Sequence, residues 1–241
     1  MAERFTLSDF AYAHRGLWAQ NGPAENSFEA CLAASAHGLG IEFDVRPAAD
    51  GVPIVFHDPT LDRMTNDTGR VESFASSKLI GLQLIGGGEI MSLEAFVALW
   101  PPRTPLLTEL KIDGATDPVD FAVRVSEILH KAAGPVAAMS FSTDAVAALS
   151  DSLMRGQLIA PSEGLSADEL AATPTVAVDY LACHTSDVSN PGLQAARKRL
   201  PLVTWTVRTE EDCLALSHVT DSQIFEGFDP AVAKHTILKT R

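Results

Sequence analysis

Ile41-Glu42-Phe43-Asp44-Val45-Arg46-Pro47-Ala48-Ala49-Asp50-Gly51-Val52-Pro53-Ile54-Val55-Phe56-His57 reads as two strands, Ile41–Val45 and Pro53–His57, joined by a short link. A parallel crossover needs a dozen or more residues, which this link lacks, and Asp50-Gly51 is a strong tight-turn signal. The two strands should therefore run antiparallel. With Asp50 and Gly51 as the two central turn residues, Ala49 pairs with Val52 and Asp44 lies opposite His57. Cross-strand partners share a face of the sheet, which would set His57 beside Glu42 and Asp44.

Outside this hairpin the chain alternates short apolar runs with helical patterns. Runs rich in branched and aromatic residues predict strands at Ala11–His14, Leu106–Leu110, Val136–Phe141, Gly156–Ala160, Val176–Leu181, Leu202–Val207 and Gln223–Phe225. Helix starts are predicted at Asn26-Ser-Phe-Glu29, Ser92-Leu-Glu-Ala95, Thr116-Asp-Pro-Val119 and Ser142-Thr-Asp-Ala145. Such alternation implies parallel strands with crossover helices. Setting Pro53–His57 aside as an appendage leaves eight strands, the number that closes an α/β barrel of the (β/α)8 TIM type. The alternative is a doubly wound open sheet. The 241 residues suit one barrel domain over 1–241.

Hydrophobic residues make up 46% and charged residues 20%, and no apolar stretch reaches the roughly 18 residues that a membrane span requires. The N-terminus, Met1-Ala-Glu-Arg-Phe-Thr-Leu-Ser-Asp-Phe10, has no basic segment leading into an apolar one, so a soluble, cytoplasmic protein is expected. Cys31, Cys183 and Cys213 are scattered and without metal-ligand spacing, so neither a disulfide framework nor a zinc site is expected. A net charge of −13 argues against nucleic acid or an anionic membrane as partner. An anionic small molecule would have to be attracted locally. Nothing in the sequence fixes an oligomeric state.

Side chains two apart on a strand share a face, so Glu42 and Asp44 stand side by side. They would repel each other unless a cation sits between them, and a hard divalent ion such as Mg2+ or Ca2+ suits oxygen donors. The alternative is a solvent-facing alternation with Phe43 buried. Thr108-Glu109-Leu110-Lys111 repeats the spacing at another strand end and offers a third carboxylate and an ammonium, unless it is a surface Glu–Lys alternation. His14-Arg15-Gly16 and His57-Asp58-Pro59 end two further strands. Paired histidines suit general acid–base chemistry near neutral pH, and the Arg15 guanidinium matches phosphate oxygens. Gly86-Gly87-Gly88 is read as part of a flexible lid, and His130, His184 and His218 as ordinary loop residues, with His184 the one placed to approach the cavity.

His14-Arg15-Gly16, Glu25-Asn26-Ser27, Ile41-Glu42-Phe43-Asp44-Val45-Arg46, Asp50-Gly51 through Phe56-His57-Asp58 and Leu61-Asp62-Arg63, and Thr68-Gly69 together closely resemble the glycerophosphodiester phosphodiesterase family. Looser likeness continues through Glu109-Leu-Lys111, Ser140-Phe141, Trp205-Thr-Val207 and Ile224-Phe-Glu-Gly-Phe-Asp-Pro230. The resemblance implies a divalent metal ion held by Glu42, Asp44 and Glu109, acid–base catalysis by His14 and His57, and phosphate contacts from Arg15 and Lys111. It further implies a glycerol-side wall at Trp205 and Phe141 and, in the stretch after His57, a small lid insertion within about 58–104. The sequence departs from the family pattern at Arg208, where Asn often stands, and at Glu226, where Thr-Asp is usual. The activity implied is hydrolysis of a small glycerophosphodiester to glycerol 3-phosphate and an alcohol. Two other activities stay open: a lysophospholipase D-like phosphodiesterase on the same scaffold, and a barrel that binds metal or ligand without turnover.

Overall fold

A computed structural model describes residues 4–101, 103–114, 116–160 and 177–239. Its strands are β1 (Tyr12–His14), β2 (Gly40–Pro47), β3 (Pro53–Val55), β4 (Leu106–Leu110), β5 (Val136–Ser140), β6 (Met154–Ile159), β7 (Tyr180–His184), β8 (Leu202–Val207) and β9 (Ser222–Phe225). All except β3 pair in parallel in the order β1-β9-β8-β7-β6-β5-β4-β2, and the β1–β2 pairing closes the ring. This is a closed (β/α)8 barrel, as the strand count predicts. β3 lies antiparallel on β2, as predicted from the short link.

Helices α1 (Phe28–Ala36), α3 (Leu93–Leu99), α4 (Pro118–Leu129), α5 (Thr143–Ala148), α6 (Pro191–Arg197), α7 (Glu210–Leu216) and α8 (Pro230–Lys239) follow barrel strands, and short α2 (Ser76–Leu79) lies between β3 and α3. The predicted starts are real caps. Ser27, Ser92 and Ser142 accept from the amides of Ala30, Ala95 and Ala145, and Asp117 accepts from those of Val119 and Asp120.

Phe43 of β2 points outward, stacked on Phe96 of α3 with ring centroids 4.8 Å apart, and Phe96 stacks on Trp100 at 5.6 Å. With Phe43 locked into the helical layer, the strand's alternation turns Glu42 and Asp44 into the barrel, not to solvent. The inner layer below them is filled by Tyr12, Leu107, Met139, Met154, Leu158 and Tyr180. Each tyrosine pairs with a glycine on the adjacent strand, Tyr12 with Gly40 and Tyr180 with Gly156. Between β3 and α3 the chain builds a satellite core of Leu61, Met64, Val71, Leu79, Leu84 and Ile90 against Ile54 and Phe56.

The hairpin register differs from the expected one by a residue. Val45 pairs with Val55, Arg46 with Ile54 and Pro47 with Pro53, so Asp44 faces Phe56 and not His57. The loop is three residues long: the Ala48 amide donates to the Val52 carbonyl at 2.9 Å, and Gly51 alone takes the left-handed conformation, at φ 75°. A two-residue turn of the expected type needs positive φ at both centres, and Asp50 instead points its carboxylate at the Ser76 amide and hydroxyl. Strand β7, the sixth of the barrel, also begins later than predicted, at Tyr180, and Val176 lies outside the described residues. Among the described residues no helix is long and apolar enough to cross a membrane.

A β-carbon on Gly156 would lie 2.3 Å from the Tyr180 ring, which is fully buried and has nowhere to swing. Gly156→Ala is expected to lower stability by about 1–3 kcal/mol through overpacking, read as a lower denaturation midpoint with an unchanged m-value. An unshifted midpoint would show that the tyrosine layer is loose.

Candidate active site

The carboxyl ends of the strands surround a cavity of about 180 Å3. His14, Arg15, Glu42, His57, Glu109 and Lys111 form one wall. Met139, Phe141, Leu158, Trp205, Thr206 and Ile224 form the other, and Arg208 stands at the same opening. A larger depression of about 500 Å3 lies over Ala49, Asp50, Asp117 and Arg124 but gathers no histidine and no buried carboxylate.

Glu42, Asp44 and Glu109 are buried, and one oxygen of each lies within 4.8 Å of the others. The β2–β4 register makes this so by setting Asp44 directly beside Glu109. Lys111 Nζ lies 3.1 Å from Asp44 Oδ1 and 2.5 Å from Glu109 Oε1. Arg15 Nε lies 3.2 Å from Asp44 Oδ2. Asn26 completes the grip: its amide group donates to Asp44 Oδ2 at 2.9 Å, and its side-chain oxygen accepts from the Asp44 amide at 3.2 Å. Arg15 and Asn26 both hold left-handed backbone, φ 57° and 60°, a conformation that asparagine adopts readily and that is strained for arginine.

Electrostatics divide the three acids. Burial pushes all three carboxyl groups up, but for Asp44 the charges of Lys111, Arg15 and His57 outweigh it and hold the group well below its usual range. Glu42 is pushed well above the usual carboxylate range by burial, then by Asp44 and Glu109. Glu109 is raised by burial and by Asp44, against the pull of Lys111. Among the described residues Glu42 Oε1 finds no hydrogen-bond partner, although it is fully buried. An orphaned oxygen in a cluster of hard oxygen donors fits a divalent cation, and the residues present suit one.

Both histidines reach the cavity wall. His14 presents Nε2 towards Glu42 at 3.9 Å and turns Nδ1 to Glu226 Oε2 at 2.6 Å. His57 arrives by a route other than cross-strand pairing. β3 ends at Val55, so the alternation no longer governs residue 57, and its carbonyl is anchored by Arg46 Nε at 2.5 Å. Its Nδ1 lies 2.7 Å from Asp58 Oδ1. Burial lowers both imidazoles below their ordinary value, partly offset at His14 by Glu226 and at His57 by Asp44. Trp205 sits at a one-residue irregularity in the β8–β9 pairing and meets Phe141 edge-on at 5.7 Å. His184 packs edge-on against Trp205, ring centroids 5.2 Å apart, while His130 bonds to Ser152 away from the cavity.

Sequence reasoning gave no role to several residues that the fold places here. Glu25 joins Arg15 and Arg63, and Arg63 also grips Asp58 at 2.6 Å. Glu226 and Arg208 form a pair beside His14. Only the position of Asp58, directly after a candidate histidine, was a usable local signal.

The carboxylate cluster yields a stability test. A carboxyl whose value rises on folding contributes stability that is fully present below its ordinary value and is lost as pH rises through the raised one. In chelator, Glu42→Gln is therefore expected to raise Tm at neutral pH, each kcal/mol giving roughly 2–4 °C, with a shrinking gain towards acid pH. A loss of Tm at neutral pH would mean that Glu42 serves the fold and not a site.

A model of the glycerophosphoryl diester phosphodiesterase family matches residues 14–221. Glycerophosphodiester phosphodiesterase 1 of Bos taurus is 42% identical over 62 residues, and that of Homo sapiens 40% over 62. Those alignments cover 25% of this chain and 18% of each relative's length. Among solved structures, a glycerophosphodiester phosphodiesterase from Parabacteroides distasonis ATCC 8503 superimposes with TM-score 0.77 at 24% identity, over 96% of this chain and 98% of that one. An Oleispira antarctica phosphodiesterase, solved with its product sn-glycerol-3-phosphate, gives 0.77 at 22% identity over 95% and 96% of the two chains. At such identities the structural likeness speaks for the fold.

Proposed function

The chain belongs to the glycerophosphoryl diester phosphodiesterase family, and from that premise we propose that it hydrolyses glycerophosphodiesters to glycerol 3-phosphate and an alcohol, with His14 and His57 as acid–base pair. The observation that carries this reading is the meeting of two histidines, two cations and the carboxylates of Glu42 and Glu109 on one wall of a small cavity at the strands' carboxyl ends, with Asp44 buried against both acids. The product bound by the Oleispira antarctica relative is of the expected class.

Glu42, Asp44 and Glu109 would hold a divalent cation, Mg2+ or Ca2+, whose chemistry is to neutralise charge on phosphate oxygens. The charge balance supports it. Three ionised carboxylates against Lys111 and Arg15 leave one negative charge; a divalent ion makes that one positive, the complement of a singly charged phosphodiester. Arg15 and Lys111 hold the phosphate in place, and positioning of this kind is a large part of catalysing phosphoryl transfer. One imidazole takes a proton from the attacking hydroxyl or water, and the other protonates the departing alkoxide. With Nδ1 of each ring engaged by a carboxylate, Nε2 is the nitrogen left for that exchange. Trp205 and Phe141 offer an apolar wall to the glycerol carbons.

Incubation with glycerophosphocholine, glycerophosphoethanolamine and a lysophospholipid should release glycerol 3-phosphate from the first two. Chelator should abolish turnover, and added Mg2+ or Ca2+ should restore it. Full activity in chelator would remove the metal assignment, and turnover of the lysophospholipid alone would favour the lysophospholipase D-like reading. His14→Ala and His57→Ala should each lower kcat by about 10²–10⁴-fold, and the double variant by less than the product of the two.

A further inference from the structure

Arg208 and Glu226 follow the last residues of β8 and β9, and the barrel closes so that β9 runs beside β1. The Glu226 amide donates to the Val207 carbonyl at 3.0 Å, which pins its backbone to the rim of the ring. Its side chain then reaches two ways. Oε1 lies 2.8 Å from Arg208 Nε, and Oε2 lies 2.6 Å from His14 Nδ1.

An exposed Arg–Glu pair adds little stability by itself, and the Arg208 side chain is 60% exposed. Glu226 is different: it is mostly covered and spends its second oxygen on a histidine. Burial alone would raise its carboxyl, but the hydrogen bond with His14 and the nearby charges of His14 and Arg208 hold it below the usual range. An ionised carboxylate only accepts, so the hydrogen in this contact belongs to Nδ1. In the neutral ring Nε2 then keeps a lone pair, on the edge that faces Glu42 and the cavity. Which nitrogen carries the proton is set by the bond that the other makes. The two positions at which this sequence departs from the family pattern thus meet each other, and one of them, Glu226, meets the first histidine.

We propose that Glu226 is a positioning residue that holds His14 in the Nδ1–H tautomer with Nε2 open to the cavity, and that Arg208 is the strut that keeps the Glu226 carboxylate aimed at it. The proposal rests on reading His14 as an acid–base group. The same construction stands at the other histidine, where Asp58 contacts His57 Nδ1 and Arg63 grips Asp58. There all three residues come from one stretch of chain; at His14 the carboxylate comes from 212 residues away.

The test uses 15N-histidine protein with Mg2+ or Ca2+ present, at mildly alkaline pH. Two-bond 1H–15N spectra read the ring tautomer, and kinetics use glycerophosphocholine. The intact protein should show His14 protonated at Nδ1. Glu226→Ala should move population to Nε2–H and lower kcat by about 10–100-fold, the range for removing a residue that orients a ligand or catalytic group, with KM little changed. Glu226→Gln keeps the volume and an accepting oxygen, so it should recover much of the Nδ1–H tautomer and a kcat above that of the alanine variant. It also carries the test if the alanine variant does not fold. Arg208→Gln should give a smaller fall of the same kind. An unchanged His14 tautomer in Glu226→Ala, or a KM rise with kcat intact, overturns the proposal. If the intact protein hydrolyses no glycerophosphodiester, the functional reading fails, and the ring spectra alone then decide what Glu226 does.

Discussion

Three carboxylates buried at one mouth of a barrel repel one another and have lost most of their water, so the surrounding structure must supply positive charge and donors. Asp44 takes the largest share: Lys111, Arg15 and the Asn26 amide all contact it. That demand accounts for the unusual backbone nearby. To bring its guanidinium down onto Asp44, Arg15 turns left-handed immediately after β1, and Asn26 does the same just before the α1 cap. Glu25 then has Arg15 and Arg63 as partners, which ties the segment after β3 to the same centre. Glu42 is left short, with an oxygen that has no hydrogen-bond partner among the described residues, and this imbalance is the feature a divalent ion would relieve.

The cluster stands where one edge of β2 changes partner along its length. β1 pairs with it only from Gly40 to Glu42, and β3 takes over from Val45 to Pro47. Between them the Asp44 amide would go unpaired, and the Asn26 side chain fills that place. A longer β1 would carry the ladder past Asp44 and leave neither the gap for Asn26 nor the turn that aims His14 and Arg15. The site is therefore built where the regular ladder is interrupted, and the outward stack of Phe43 on Phe96 and Trp100 keeps the strand from rotating.

Local signals in the sequence reached far. Alternation along β2, the spacing of Glu109 and Lys111, and four capping side chains each depend on residues within a turn or a strand of one another, and all appear in the structure. The hairpin register was lost by one residue because Asp50-Gly51 is compatible with both a two-residue and a three-residue loop, and the Asp50–Ser76 contact that accompanies the observed one comes from a distant segment. His57 still reached the cavity, since β3 stops before it. Glu226 and Arg208 could be seen only as departures from a pattern. The contact of Glu226 with His14 exists because the ring closes β9 onto β1, a pairing that no local window contains.

The cavity's two walls have different origins, and this asymmetry constrains what fits. Its charged wall comes from β1, β2 and β4 with the segment after β3, while β5, β6, β8 and β9 supply mostly apolar or aromatic side chains. A ligand carrying one compact anion and a short carbon skeleton satisfies both walls at once. A larger apolar group would have to leave through the opening, because the space below is filled by Tyr12 and Tyr180, each seated against a glycine of the next strand. The same tyrosines fill the floor at close packing, beneath the side chains of the charged wall. On the proposed reading the phosphate lies against Arg15 and Lys111, the glycerol edge against Trp205, and each imidazole is turned by its own carboxylate so that Nε2 is the nitrogen left free.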